Sequence, residues 1–135
     1  MITENVYDSL VDSMSEASLE IVLILKSLGN KIRFQILLQL LTGAKSFGTI
    51  VKNTKREKTA ISNHLNHLIE AKLIEKGDYG IYRISGDGIE FMQAIDTAFQ
   101  KSPTRQLKKF QELQGRKISN SFLNRFSQKS QIEGK

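Results

Sequence analysis

A helix with two unlike faces constrains this chain more than any other stretch. From Thr59 to Ala71 the helical period sets Ile61, Leu65, Leu68 and Ile69 on one side, at i, i+4, i+7 and i+8. Thr59, Asn63, Asn66, His67 and Glu70 fall opposite, with Ser62 and His64 on the flanks. The outward face is compact, neutral and rich in hydrogen-bonding groups. It follows a cationic run, Lys55, Arg56 and Lys58, broken only by Glu57. A solvated helix that meets nothing usually carries long charged side chains in i, i+4 pairs. Short Asn, Thr, Ser and His side chains suit approach to base edges, where Asn pairs bidentately with adenine and Thr or Ser with several bases. The plain alternative is an amphipathic core helix with an idle polar face.

The neighbouring stretches favour the first reading. Residues 1–13 are acidic, with Ile2, Val6 and Leu10 spaced for a helical stripe, and Ser15 and Ser18 offer caps before Leu19. Leu19–Leu28 is apolar around most of its circumference, and such a helix must be covered on more than one side. A second copy of the chain is an economical cover; burial within one subunit is the alternative. Gly29 closes this helix and Asn30 caps the next, residues 31–42, with Ile32, Ile36, Leu37, Leu40 and Leu41 turned to the core and Gly43 as its stop. Ser46 caps a short helix, Phe47–Asn53, with Phe47, Ile50 and Val51 inward, and Thr54–Lys58 form the turn into the polar-faced helix. After Ala71 the period changes. Leu73–Lys76 and Ile81–Ile84 are short and rich in branched or aromatic residues, and Gly77-Asp78-Tyr79-Gly80 between them signals a β-hairpin. Helix returns with the stripe Ile89, Met92, Ile95, Ala98 and Phe99. Pro103 marks a boundary. Beyond it Leu107, Phe110 and Leu113 share one face, Gly115 interrupts, and Ile118, Phe122 and Phe126 share another. Residues 128–135 are expected to fray.

Charge narrows the class of partner. The formal net charge of +6 favours a polyanion. It is unevenly spread: residues 1–20 carry five acids and no Lys or Arg, whereas residues 101–135 carry nine Lys or Arg against Glu112 and Glu133. The 135 residues suit one domain of ordinary size, and 39% hydrophobic content can build a core. The absence of cysteine excludes disulfides, thiolate metal sites and cysteine nucleophiles. The longest apolar run, Ile21 to Leu25, falls far short of the ~20 residues of a membrane span. The acidic opening is unlike a signal peptide. A cytoplasmic protein is expected, with no membrane contact.

Helix, helix, short helix, turn, polar-faced helix, two-stranded hairpin, helix is the order of a winged helix-turn-helix. The predicted fold class is mainly α with a small β-hairpin: an acidic extension (1–18), the winged domain (19–100) and a basic helical extension (101–135). The residues resemble the arsenic-repressor (ArsR) type of winged-helix transcriptional regulators over about residues 20–100. The stretches that carry the resemblance are Leu25-Lys26-Ser27-Leu28-Gly29-Asn30-Lys31-Ile32-Arg33, Ile61-Ser62-Asn63-His64-Leu65-Asn66-His67-Leu68, Ala71-Lys72-Leu73-Ile74 and Gly80-Ile81-Tyr82-Arg83-Ile84. The resemblance implies a homodimer held by the first and last helices of the domain, through Leu19, Val22, Leu23, Ile89, Met92, Ile95 and Phe99. It also implies that the Thr59–Ala71 helix enters the major groove of double-stranded DNA; the residues themselves offer Thr59, Ser62, Asn63, Asn66 and a base-facing His67, with His64 packed on the flank or set against a phosphate. Lys76, Tyr79 and Arg83 would then lie along the backbone or the minor groove. Physics agrees on the phosphate contacts, for which Lys45, Lys52, Lys55, Arg56 and Lys58 are candidates.

Departures from the family matter too. Where many members place metal-binding cysteines, this chain reads Phe47-Gly48-Thr49-Ile50, and its last domain helix has Asp87, Glu90 and Asp96 but no histidine. The proline usual near position 31 is Lys31. His64 and His67, three apart, lack a third strong ligand, so no metal and no cofactor are predicted. There is no Gly-rich phosphate loop and no nucleophile or acid–base constellation, so no catalytic residue is predicted. The sequence points to no effector. Two other classes compete: a nonspecific or architectural DNA binder dominated by the basic tail, and a winged helix used for protein contacts. For the tail itself, an extra pair of dimer helices stands beside a phosphate-binding arm.

Overall fold

Asn30 and Ser46 open the helices that build the core, each through a side-chain oxygen that accepts a backbone hydrogen bond. Asn30 Oδ1 accepts from the Arg33 N–H at 3.0 Å, and Ser46 Oγ from the Thr49 N–H at 3.1 Å. Both are the caps the sequence predicts. The structure, a computed structural model, describes residues 5–115. The chain divides into two units, residues 1–91 and 92–135.

The first unit runs α1 (Asp8–Glu16), α2 (Ser18–Leu28), α3 (Lys31–Leu41), β1 (Lys45–Ser46), α4 (Phe47–Thr54), α5 (Lys58–Glu70), β2 (Ile74–Lys76) and β3 (Ile81–Ile84), then enters α6 (Gly86–Lys101). The hairpin is the predicted one. It gains a third strand, since β1 pairs antiparallel with β3 and gives the order β1-β3-β2. Two residues are too few to show a period of two, so β1 left no mark in the sequence pattern. Register sets Tyr82 between Lys45 and Lys76, and Glu75 opposite Arg83.

The core joins Ile36, Leu37 and Leu40 of α3 with Ile50 of α4, Ile61, Leu65 and Leu68 of α5, and Leu73 and Ile74 of the hairpin, all fully buried or nearly so. Leu41, expected inward, is exposed. It is the last residue of α3 and sits at the rim of the stripe centred on Ile36, Leu37 and Leu40, where the helix ends. Elsewhere the predicted apolar faces of α3 and α5 are turned to the core, with Ile32 and Ile69 half-buried at their edges. The N-terminal helices differ: α1 buries nothing, and α2 buries only Ser27 and Leu28.

Two tight junctions fix the wing against α5. The end of α5 is a Schellman motif, in which the Leu73 N–H reaches the Leu68 carbonyl at 3.0 Å and the Lys72 N–H reaches Ile69 at 2.9 Å. Lys72 holds the left-handed position at φ 62°. Beyond β3, Ser85 Oγ donates to the Lys72 carbonyl at 2.7 Å and accepts from the Gly88 N–H at 2.9 Å. Gly88 passes so close to the hairpin base that a Cβ there would lie 2.3 Å from the Leu73 carbonyl oxygen.

In the second unit, α6 ends at Lys101, Ser102 is non-helical, and helix resumes over 103–115 (α7). Pro103 occupies the first turn of α7, where its missing N–H is harmless, and Ser102 Oγ accepts from the Arg105 N–H at 2.9 Å. The guanidinium of Arg105 lies 4.8 Å from the centre of the Phe99 ring. Gly115, expected to interrupt the helix, is itself helical. The stripe Ile118, Phe122 and Phe126 lies outside the described residues.

Candidate nucleic-acid interface

The site is built on α4, a three-residue turn and α5. Lys55 caps α4 in the left-handed conformation, φ 59° and ψ 36°, with its N–H on the Val51 carbonyl at 2.9 Å. The chain can therefore reverse within Lys55, Arg56 and Glu57 and start α5 at Lys58. The turn is shorter than the sequence suggests at both ends. Thr54 stays in α4, its hydroxyl donating to the Ile50 carbonyl at 2.9 Å, and Lys58 joins the first turn of α5. That first turn contains no acidic residue. Unpaired N–H groups and the helix dipole already make a helix start electropositive, and Lys58 adds to it. An anion is the natural complement.

Along α5 the buried residues are Ile61, Leu65 and Leu68, and Thr59, Ser62, Asn63, Asn66 and His67 are exposed. Spacings of three, four and seven put Thr59, Ser62, Asn63 and Asn66 on one face, with His67 one turn beyond Asn63. Lys52, Lys55, Arg56 and Lys58 are exposed around the same turn. Lys45 is not among them. It is half-buried, and its Nζ is held by Thr42 Oγ1 at 2.8 Å and the Gly43 carbonyl at 3.0 Å, so it neutralises the carbonyl end of α3.

At the wing, Tyr79 stands at the tip in left-handed geometry, φ 60° and ψ 30°, with 97% of its surface exposed. Lys76 Nζ lies 5.8 Å from the centre of the buried Tyr82 ring. Arg83 lies across Gly77, where a Cβ would come within 2.9 Å of Nη1.

His64 is held differently from its neighbours. It is half-buried, and its Nδ1 faces Arg33 Nη1 at 3.2 Å. The same guanidinium donates from Nε to the Ser27 carbonyl at 2.9 Å and from Nη2 to Lys26 at 3.1 Å, which satisfies the carbonyl end of α2. Desolvation first, then the charge of Arg33, then His67, pulls the His64 pKa below the ordinary histidine value. Desolvation likewise lowers that of Arg33. Arg33 was absent from the candidates because its partner is 31 residues away. Its one signal is a lone cation between Ile32 and Phe34.

The residues predicted to hold a dimer are mostly open. Leu19 is 88% exposed, and Val22, Leu23, Ile89, Ile95 and Phe99 are also exposed, whereas Met92 is buried within the single chain. Among the described residues no group of three or more His, Cys, Asp or Glu could hold a metal ion, and no helix is long and apolar enough to cross a membrane.

A helix-turn-helix followed by a β-wing, with a polar helix face beside a cationic turn, defines a winged helix-turn-helix protein. More narrowly it is similar to the ArsR type: a model of the family described as bacterial regulatory protein, arsR family, matches residues 30–76. Similar solved structures carry the same architecture. HlyU from Vibrio cholerae is 26% identical with a TM-score of 0.55, covering 66% of this chain and 98% of that one. The transcriptional repressor BigR from Xylella fastidiosa is 21% identical with a TM-score of 0.54, covering 66% and 92%. A homodimeric winged helix-turn-helix DNA-binding domain from Mycobacterium bovis is 22% identical with a TM-score of 0.52, covering 75% and 94%. No curated protein matches the sequence significantly.

Proposed function

We propose that the protein is a sequence-specific transcriptional regulator that binds double-stranded DNA as a homodimer, without catalysis. The observation that carries this reading is the exposed polar face of α5, compact and uncharged from Thr59 to Asn66, set directly behind the cations of the α4–α5 turn. In this reading α5 enters the major groove. Thr59, Ser62, Asn63, Asn66 and His67 meet base edges, Lys52, Lys55, Arg56 and Lys58 meet phosphates, and Lys76, Tyr79 and Arg83 follow the flanking backbone or minor groove. Lys45 joins the phosphate set with the one N–H that Thr42 and Gly43 leave over. A twofold pairing through the open apolar faces of α2 and α6 would space the two α5 helices roughly 34–36 Å apart, one turn of DNA. The M. bovis domain, itself homodimeric, supports a dimer.

The test is binding to the protein's own promoter region and to scrambled DNA of equal length, across a salt series. A preference of ~10³ or more at physiological salt is expected. Asn63→Ala and Asn66→Ala should each cost ~1–3 kcal/mol on the preferred site and almost nothing on scrambled DNA. Equal affinities that collapse together with salt would instead identify a charge-driven, nonspecific binder. The cations of residues 101–135 favour that second reading, and deleting residues 104–135 would then flatten the salt slope.

A further inference from the structure

The guanidinium of Arg33 joins the end of α2 to the flank of α5, a link that neither the family match nor the DNA-reading face requires. Resting on the reading of α5 as a major-groove helix, we propose that Arg33 is a positioning residue that fixes His64 as a one-way hydrogen-bond donor, presenting its Nε2 proton to an acceptor atom on DNA.

The chemistry follows from the donor inventory. Arginine has five N–H donors and no acceptor, so in the 3.2 Å contact Arg33 Nη1 donates and His64 Nδ1 accepts. A neutral imidazole carries a single proton, which must then reside on Nε2. The guanidinium cannot swing away cheaply, because its other two nitrogens hold the Ser27 and Lys26 carbonyls at 2.9 and 3.1 Å. The Arg33 backbone is fixed as well, its N–H on the Asn30 cap. Among the described residues no buried side-chain nitrogen or oxygen lacks a hydrogen-bond partner. His64 Nδ1 has Arg33, and the opposite ring edge with Nε2 therefore opens to solvent on the α5 flank. The charged groups that face the ring are Arg33 from α3 and His67 from α5 itself, both of which disfavour a second proton.

A histidine free to exchange tautomers can either donate or accept at its outer nitrogen. One locked by Arg33 can only donate. It would donate to a phosphate oxygen, guanine O6 or N7, adenine N7 or thymine O4, and find no partner in the amino groups of adenine and cytosine. Arg33 would thus shape DNA recognition without touching DNA.

Long-range proton–nitrogen NMR of the His64 imidazole, on the full chain at neutral pH, reads the tautomer directly. A single Nε2–H ring is expected, and Arg33→Met should release it to a mixture. On the preferred duplex, His64→Leu should lose about tenfold in affinity, His64→Gln should recover most of it by restoring a donor, and adding Arg33→Met to His64→Leu should cost little more. A loss shared by cognate and unrelated duplexes puts the acceptor on a phosphate; a loss confined to the cognate puts it on a base. Arg33→Met also strips the α2 carbonyls, so the unchanged protein carries the primary measurement. An Nδ1–H ring, or a mixture in the intact protein, would overturn this proposal alone. An Nε2–H ring in a protein that binds no duplex would overturn both the DNA acceptor and the regulator reading.

Discussion

His64 ties stability to pH with a definite sign. Burial, Arg33 and His67 lower its pKa in the native protein, while the unfolded chain titrates near the ordinary value of about 6.5. Between the two values the unfolded state binds a proton that the native state refuses, so stability rises with pH across that window. The contribution is intact above about pH 6.5 and is lost as the pH falls towards the native pKa. Urea midpoints at pH 7.5 and 5.5 should therefore fall further in the wild type than in His64→Gln; equal drops would remove His64 from the account. Lys58 behaves differently. A cation in the first turn of α5 opposes the helix dipole, so Lys58→Glu should raise stability by roughly 0.3–1 kcal/mol while weakening DNA binding. Denaturation and DNA titration of the one variant should move in opposite directions, and joint movement would deny Lys58 a phosphate.

Among the elements, the end of α5 holds an adjustable strain. Lys72 occupies a left-handed position that costs a side-chain-bearing residue about 1–2 kcal/mol, against about 0.5–1 kcal/mol of extra chain entropy for glycine. Lys72→Gly should thus stabilise the protein by roughly 0.5–1 kcal/mol, read as a higher urea midpoint with an unchanged slope; a lower midpoint would mean that the lysine has a compensating contact. Neither this junction nor the left-handed Lys55 and Tyr79 was legible in the sequence, because each is a non-glycine residue where glycine is the usual signal. The amphipathic helices were legible, since the period of Ile61, Leu65 and Leu68 states which face is buried, and so was the hairpin, marked by Gly77 and Gly80. Asn30 and Ser46 announced their caps by chemistry. What escaped depended on distant partners: β1 exists only through β3, and Arg33 reaches His64 across 31 residues of chain. The candidate face is exposed as its period predicts, whereas the hold of Arg33 on His64 left no mark in the sequence.

For the whole molecule, α2 presents an apolar face that needs a cover. Leu19, Val22, Leu23 and Leu25 are exposed in the single chain, and α1 buries no residue at all. Clustered apolar surface of this kind marks an interaction site more often than a solvated helix. Pairing two copies through α2 would bury it and bring two α5 helices into one particle. Leu23→Lys places a charge in that interface and leaves the core of α3, α4 and α5 untouched, so its fold should survive by circular dichroism. The wild type should sediment as twice 15.3 kDa at micromolar concentration and the variant as a single chain. Losing the partner removes half of the phosphate contacts, so the slope of log affinity against log salt should fall to about half of its wild-type value. Affinity for a two-half-site operator should drop steeply, because the second half-site no longer binds at the high effective concentration that linkage provides. A wild type that sediments as one chain and binds a single half-site as tightly as the full operator would refute the dimer, and would leave the apolar face of α2 to a different protein.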